Sequence, residues 1–419
     1  MGCRHGEPVN GLLEKGRRTP QVKQVVPGLV LLFAVAHFAH HLVTALPVPL
    51  LPFIRDEFAL DYTRASLVVS AFSVSYGFSQ LPAGWLADRF GPRRLLLVGI
   101  SGVALTGLLV GLSTSYTLLL AALFLMGALG GGYHPAAPAA IAKVTDPSRR
   151  GRALGVHMIG GSASYFLAPL AAGGLAAVWG WRMPFVLLAV PAIIFGVVLF
   201  VILGRRERAG RVLQAAGGPA QTVGPVVEEE TRVDWFRMVT FLTLTSVSAA
   251  FVLSVIAFIP LYLVDVFGVA EHQATMAVAL YYSTGLWAAV AGGYLSDRIG
   301  RIRVVVLFGL ISGPVLALLD FSGSAIMVMA CLLFLGAGMY ARAPASESYV
   351  VGHTPPSKRS SVLGFYYFGS MEGSGVLAPV VGYLIDHFGF RTAFAAGGIA
   401  LTTIALVCAA ILLRGSSAD

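Results

Sequence analysis

Runs of about twenty apolar residues follow one another along most of this chain, broken only by short charged knots. Segments of that length and apolarity match the hydrocarbon thickness of a bilayer, and as helices they satisfy their own backbone polar groups there. Of the 419 residues, 57% are hydrophobic and only 12% charged, against roughly 25% charged in an ordinary soluble domain. A soluble protein with so few charges would precipitate. The 49 glycines suit helices that approach one another closely in lipid. The chain therefore reads as an all-α, multi-pass protein whose partner is the lipid bilayer.

Twelve spans are expected: near 27–53, 64–88, 93–112, 116–143, 151–178 and 183–203, then 238–264, 273–296, 302–321, 324–350, 359–386 and 390–413. They form an N-terminal six-helix bundle over 27–203 and a C-terminal one over 238–413. A tail over 1–26 precedes them, a tail over 414–419 follows, and residues 204–237 read as a flexible polar linker. Basic residues gather in alternate loops, at "RFGPRR", "DPSRRGR", "RRERAGR", "RIGRIR" and "SKR". Alternation puts those loops on one side, expected to be the cytoplasm, with both termini there and the protein in the plasma or inner membrane. The net charge of +9 is thus accounted for by topology, not by nucleic-acid binding. The first 26 residues are polar and basic, so no cleavable signal peptide is expected. Cys3, Cys331 and Cys408 have neither metal-ligand spacing nor the pattern of a disulfide framework.

The charged knot "GWLADRFGPRR" (84–94) returns as "GYLSDRIGRIR" (293–303), Asp297 following Asp88 by 209 residues. Gly364 follows Gly155, and Arg391 follows Arg182, by the same 209, and Pro379 follows Pro169 by 210. One six-span unit has been used twice. Six is even, so both copies enter from the same side, which gives parallel repeats about an axis along the membrane normal. Asp88 ends a helix at the negative pole of its dipole, unfavourable for a carboxylate unless a partner compensates. Arg89, Arg93 and Arg94 stand nearby, Gly91-Pro92 shortens the turn, and Gly84 lies one helical turn before Asp88 on the same face. The corresponding residues of the second copy are Gly293, Asp297, Arg298, Gly300 and Arg301. Two readings stand: solvated loops whose arginines only set topology, or a polar latch that forms in one conformation and breaks in another.

These two knots resemble the signature that follows spans 2 and 8 of the major facilitator superfamily, and the resemblance extends over twelve spans, two halves and a long central loop. It implies the major facilitator fold: two pseudo-symmetric six-helix bundles that rock about one central site, usually in a monomer. It implies that spans 1, 4, 7 and 10 line the cavity, with help from 2, 5, 8 and 11, and that Asp88 and Asp297 help hold the outward-open state shut on the inside. A narrower resemblance joins "HFAHHLVTALPVPLLPFI", "GGGYHPAAPAAIA" and "GGSASYFLAPLAAGG" to the fosmidomycin resistance branch of drug exporters. Three departures stand out. His41 occupies a place where that branch commonly has aspartate, Ala168-Pro169 replaces Gly-Pro in the antiporter motif, and Leu123 replaces an arginine common in span 4.

Ionisable residues at membrane depth each cost about 2.5–3.5 kcal/mol at the bilayer centre, so each needs a reason. His37, His40 and His41 fall within about 100° of arc on span 1 and can face one cavity. Histidine suits proton exchange; packing against backbone or neighbouring helices is the other reading. His37 and His41 also have i, i+4 metal spacing, but no Asp, Glu or Cys accompanies them in that span, so no metal and no cofactor is expected. His134 in "GYHPAAP" lies beside Pro135 and Pro138, which can kink span 4 and free carbonyls. Arg342 in "MYARAP" stays charged and needs an acidic partner, Glu347 or Glu372, or an anionic substrate. Glu372 is otherwise a candidate proton carrier. Gln80, Tyr281 and Tyr366 complete the set of expected substrate contacts, and His40, Glu347 and Glu372 that of expected proton-coupling groups.

No "GxxxxGK[ST]" motif occurs, so ATP is not the energy source within this chain. The expected function is secondary active transport of a small organic solute by alternating access, as proton-coupled efflux (antiport). The alternative is proton-coupled uptake of a small organic anion. A sensor that has kept the fold without transporting, or a membrane-embedded enzyme using an intramembrane histidine, stands behind both. No paired catalytic constellation accompanies the histidines, so the chain is not expected to be an enzyme.

Overall fold

The computed structural model of the protein describes residues 2, 27–145, 150–215, 233–319, 321 and 323–414. The described residues contain no strand. The expected tails over 1–26 and 414–419 fall almost wholly outside them, as does half of the expected linker, residues 216–232. In the N-terminal bundle the helices are α1 (Pro27–Thr44), α2 (Leu51–Glu57), α3 (Tyr62–Phe90), α4 (Pro92–Leu97), α5 (Val103–Gly111), α6 (Tyr116–Gly130), α7 (Tyr133–Val144), α8 (Arg150–Trp179) and α9 (Arg182–Ala215). In the C-terminal bundle they are α10 (Trp235–Phe267), α11 (Glu271–Ser283), α12 (Ala288–Ile299), α13 (Arg301–Leu318), α14 (Ala325–Gly352), α15 (Pro356–Tyr367) and α16 (Gly373–Leu413).

Several spans are broken helices. Residues 45–50, with Pro47 and Pro49, separate α1 from α2 within span 1. A π-helical turn, Val98–Gly102, joins α4 to α5, and a second, Phe368–Glu372, joins α15 to α16. α16 holds two spans, divided where Gly389 leaves helical geometry at φ 77°. Eight helices among the described residues are by themselves long and apolar enough to cross a membrane, and α11 with α12, bent by 41°, makes a ninth. α3 falls short because serine, glycine, glutamine and charged residues dilute its apolar content. It packs between the bundles, where lipid does not select for apolarity. α9 continues to Ala215, past the expected span end at 203. Its "GRRERAGR" extension consists largely of good helix formers.

The repeat is visible in the backbone. Gly91 and Gly300 terminate equivalent helices at φ 81° and 92°, ψ 145° and 148°. Positive φ suits glycine, which is why the short turn after each knot carries one. Ser115 caps α6 by accepting from Leu118 N, and Ser324, 209 residues later, caps α14 by accepting from Met327 N. Gly180 (φ 79°) and Gly389 (φ 77°), also 209 apart, open the last span of each bundle.

The bundles are shut against each other at the end opposite the basic loops. Asp386 accepts from Tyr62 N (2.9 Å) and Thr63 N (2.8 Å), so a carboxylate of the C-terminal bundle caps the N-terminus of α3 in the other. Asp265 pairs with Arg55 and accepts from Tyr62 Oη at 2.7 Å. Ser70 Oγ donates to Gly375 O at 2.6 Å and Thr275 Oγ1 to Pro49 O at 2.8 Å. Glycines make the approach possible: a Cβ on Gly382 would stand 2.6 Å from the Tyr62 carbonyl oxygen, and one on Gly173 2.6 Å from that of His272.

Candidate functional site

Between the closed end and the basic loops the two bundles enclose a cavity of about 210 Å³. The N-terminal bundle contributes His37 and His41 from α1, Tyr76 from α3, His134 from α7 and Tyr165 from α8. The C-terminal bundle contributes Tyr281 and Tyr282 from α11, Met339 and Tyr340 from α14, and Glu372 from the π-helical turn. Tyr165 and Tyr282 stack across the bundle boundary, ring centres 5.0 Å apart.

The histidines divide by role. His40 is fully buried and lies outside the cavity wall. Its Nδ1 donates to Gly99 O at 2.6 Å, since a carbonyl can only accept, and its Nε2 faces Tyr76 Oη at 2.8 Å. Both nitrogens are therefore occupied in holding α1 to α3 and to the π-helical turn after α4. His37 stacks on His157 of α8 at 4.2 Å, and its Nδ1 lies 2.9 Å from the His157 carbonyl oxygen. His157 in turn reaches Phe33 O at 3.0 Å. His41 Nδ1 meets Thr44 Oγ1 at 3.1 Å. His134 lies between them, its ring centre 5.6 Å from His37 and 5.3 Å from His41. A Cβ on Gly161 would stand 2.5 Å from the His37 ring, so only glycine leaves room for it.

Arg342 is 5% exposed and stands behind the wall rather than on it. Its Nη1 donates to Thr245 O at 3.0 Å, its Nη2 lies 3.0 Å from the sulfur of Met339, and Tyr281 and Tyr366 flank it. Among the described residues no carboxylate is within ion-pairing distance of it. Glu347 lies instead beside Tyr366 and Tyr367. Glu372 is buried, lines the cavity and has no ion-pair partner among the described residues. It faces Gly77 of α3, where an added Cβ would stand 2.8 Å from Glu372 Cβ and Cγ. Tyr281 lines the cavity and its hydroxyl has no hydrogen-bond partner among the described residues. Gln80 and Tyr366 lie outside the wall.

None of the knot residues lines this cavity. The side chains of Gly84 and Asp88 are outside the described residues. Arg89 packs over Trp85 at 5.4 Å and Arg298 over Tyr294 at 4.4 Å, a matched pair at the 209 spacing. Arg93 pairs with Glu207 at 3.1 Å within its own bundle, and Arg94 reaches Phe90 O at 3.5 Å. Asp297 is exposed, Arg301 approaches Gly352, and nothing lies close to where a Cβ on Gly293 would point.

Sequence reasoning did not single out His157, Tyr76 or Tyr165. His157 was within reach, one helical turn before Gly161 on a span expected to border the cavity. The tyrosines were not, because which face of a helix meets the other bundle is not written in an all-apolar span.

The Major Facilitator Superfamily profile matches residues 33–270 and again 238–419. The chain is 28% identical over 359 residues to the probable sulfoacetate transporter SauU of Cupriavidus necator, covering 81% of this chain and 82% of that one. It is 27% identical over 360 residues to the multidrug resistance protein MdtG of Klebsiella pneumoniae, covering 84% and 85%. With the probable galactarate/D-glucarate transporter GudP of Bacillus subtilis it shares 26% over 375 residues, 80% of each chain. In fold it is similar to a bacterial homologue of the human lysosomal transporter Spinster in an inward-facing, occupied conformation, with TM-score 0.70, 18% identity and coverage of 93% and 96%. A POT family transporter in complex with 5-aminolevulinic acid gives TM-score 0.75, 13% identity and coverage of 93% and 97%. Two repeated six-helix bundles around one central cavity, the paired knots and these matches lead to one conclusion: the chain belongs to the Major Facilitator Superfamily and is a multi-pass secondary transporter.

Proposed function

We propose that this transporter carries a small organic anion inward together with protons, with its basic loops in the cytoplasm. The observation that carries the reading is Arg342, a permanent cation buried beside the cavity with no carboxylate in ion-pairing distance among the described residues. A buried charge without a partner is costly, and an anionic solute supplies the partner. Met339 stands between the guanidinium and the cavity, so its flexible side chain is the element that moves aside. The cavity of about 210 Å³ is smaller than the roughly 300–1,000 Å³ of drug-sized sites, which favours a small solute over a drug. Relatives named for sulfoacetate, galactarate/D-glucarate and hexuronate transport agree with an anion.

Inward movement of an anion opposes a membrane potential negative inside, by about 2.3 kcal/mol per charge per 100 mV. A proton carried with each negative charge removes that penalty. Glu372, buried on the cavity wall at the bundle boundary, is the group placed to carry it. With the basic loops inside, the closed end faces outward and this conformation offers the cavity to the cytoplasm.

The test is flux into proteoliposomes of protein in known orientation. Small sulfonates and dicarboxylates should accumulate when the trans side is alkaline. Glu372→Gln should abolish gradient-driven accumulation while leaving anion exchange intact. Movement of cationic drugs against an opposite gradient, with no anion flux, would replace this reading with efflux.

A further inference from the structure

The cavity brings together something the individual spans do not contain. His37 and His41 from α1 and His134 from α7 each offer an imidazole nitrogen, and the three nitrogens lie within 4.8 Å of one another. Their hydrogen bonds fix which nitrogen is free. The His157 carbonyl can only accept, so His37 Nδ1 carries the proton and Nε2 presents a lone pair. That Nε2 is buried, and His37 is only 2% exposed, yet it has no hydrogen-bond partner among the described residues. Thr44 donates its hydroxyl to His40 O at 3.4 Å, so it accepts from His41 Nδ1 and leaves the His41 Nε2 lone pair free as well. His134 makes no hydrogen bond among the described residues. Three imidazoles with converging, unsatisfied lone pairs, two of them oriented through Nδ1 by oxygen acceptors, are what a metal-binding histidine set requires.

We propose that His37, His41 and His134 form a binding site for a divalent transition cation of the zinc, cobalt and nickel class in the central cavity, its fourth coordination position open to the transported solute. Nitrogen donors select that class over magnesium and calcium, which take oxygen. Metal–nitrogen bonds of about 2.0–2.1 Å require the three rings to turn inward on binding. Three protein ligands around one metal leave a position for an exchangeable ligand, as in open rather than closed zinc sites. That position faces a cavity bordered by Glu372 and Tyr76, where an anion can complete the shell. The helix 1 pair alone lacked a third ligand; the fold supplies it from α7. The site holds whichever solute travels.

The test uses tag-free, chelator-stripped full-length protein titrated with Co²⁺ and, separately, with Zn²⁺ by calorimetry. One equivalent should bind per chain, and the cobalt form should show the intense visible absorption of a four-coordinate centre, perturbed by azide at the open position. His134→Asn and His41→Asn should each weaken binding at least about 100-fold, and Thr44→Val, which removes only the orienting acceptor, about 10–100-fold. His387→Asn, on the surface, should change nothing. The unsubstituted protein alone can overturn the proposal, by failing to take up one equivalent or by giving the weak spectrum of six-coordinate cobalt. So would undiminished affinity in folded His41→Asn and His134→Asn, or in Thr44→Val. A four-coordinate spectrum indifferent to azide would refute the open position.

Discussion

The two six-helix bundles share their turns and differ in what fills their inner faces. Gly91 and Gly300, Ser115 and Ser324, Gly180 and Gly389 hold matching backbone geometry at one spacing. At the cavity the likeness ends. The N-terminal bundle presents imidazole nitrogens, with His37, His41 and His134 on the wall. The C-terminal bundle presents Glu372 on the wall and Arg342 behind it. Duplication kept what lets each bundle fold, because helix caps and positive-φ turns tolerate few residues. It left the cavity lining free to diverge, because any side chain that fits and finds a partner is tolerated there. One half thus offers nitrogen donors to the cavity and the other charged groups.

The sharpest break of that contrast is Arg342→Ala. Charged hydrogen bonds are worth about 1.5–3 kcal/mol, so anion affinity should fall roughly tenfold to hundredfold in chelator-stripped protein. His134→Asn should cost far less under the same conditions. Arg342→Lys should recover only part, since an ammonium does not reproduce the planar fork. Binding measured by calorimetry decides the matter, and equal losses on both sides would erase the distinction between the halves.

Next comes the boundary itself. Gly77→Ala sets a methyl 2.8 Å from Glu372 Cβ and 2.9 Å from a Phe368 ring carbon. Overpacking of that kind costs about 1–3 kcal/mol. It falls only on the conformation in which α3 meets the π-helical turn, so the closed end should open more often. Labelling of Ser70→Cys from the outside, in a background lacking the native cysteines, should rise about tenfold. Asp386→Asn should act in the same direction but less, because the carboxylate cap of α3 is worth about 0.5–2 kcal/mol. If Asp386→Asn left labelling unchanged, the inter-bundle cap would be incidental to the equilibrium.

The smallest effect concerns Glu57, at the end of α2 beyond the span. Its carboxyl is held below the ordinary 4.5 by the hydrogen bond from the Arg182 guanidinium, outweighing partial burial, with Trp181 adding a second bond. A lowered folded pKa contributes stability above the unfolded value that is lost as pH falls through the folded value. The side chain is 39% exposed, so solvent screening keeps this below about 1 kcal/mol. Between about pH 5 and pH 3, Glu57→Gln should lose less melting temperature than the unsubstituted protein. Arg391, the repeat partner of Arg182, packs over Phe321 as Arg182 packs over Trp181.

Membrane residence, the twelve spans, the duplication and the turn glycines were legible in the sequence, because each rests on a local rule: apolar length, loop charge, register, positive φ. The histidines, Arg342 and Glu372 were legible as candidates, because an ionisable residue at membrane depth demands a reason. Their roles were not. Spacing put His37, His40 and His41 on one arc, yet tertiary contacts with Gly99 and Tyr76 tied His40 into the packing and left the other two facing the cavity. Spacing offered Arg342 two carboxylates, and the fold placed neither within reach. Gly77, Gly161 and Gly382 were indistinguishable from the other glycines of a glycine-rich chain until the facing residue was known. A periodic apolar pattern fixes how long a helix is and where it ends. Which side of it meets lipid, a sister helix or the opposite bundle is decided only when all the helices pack together.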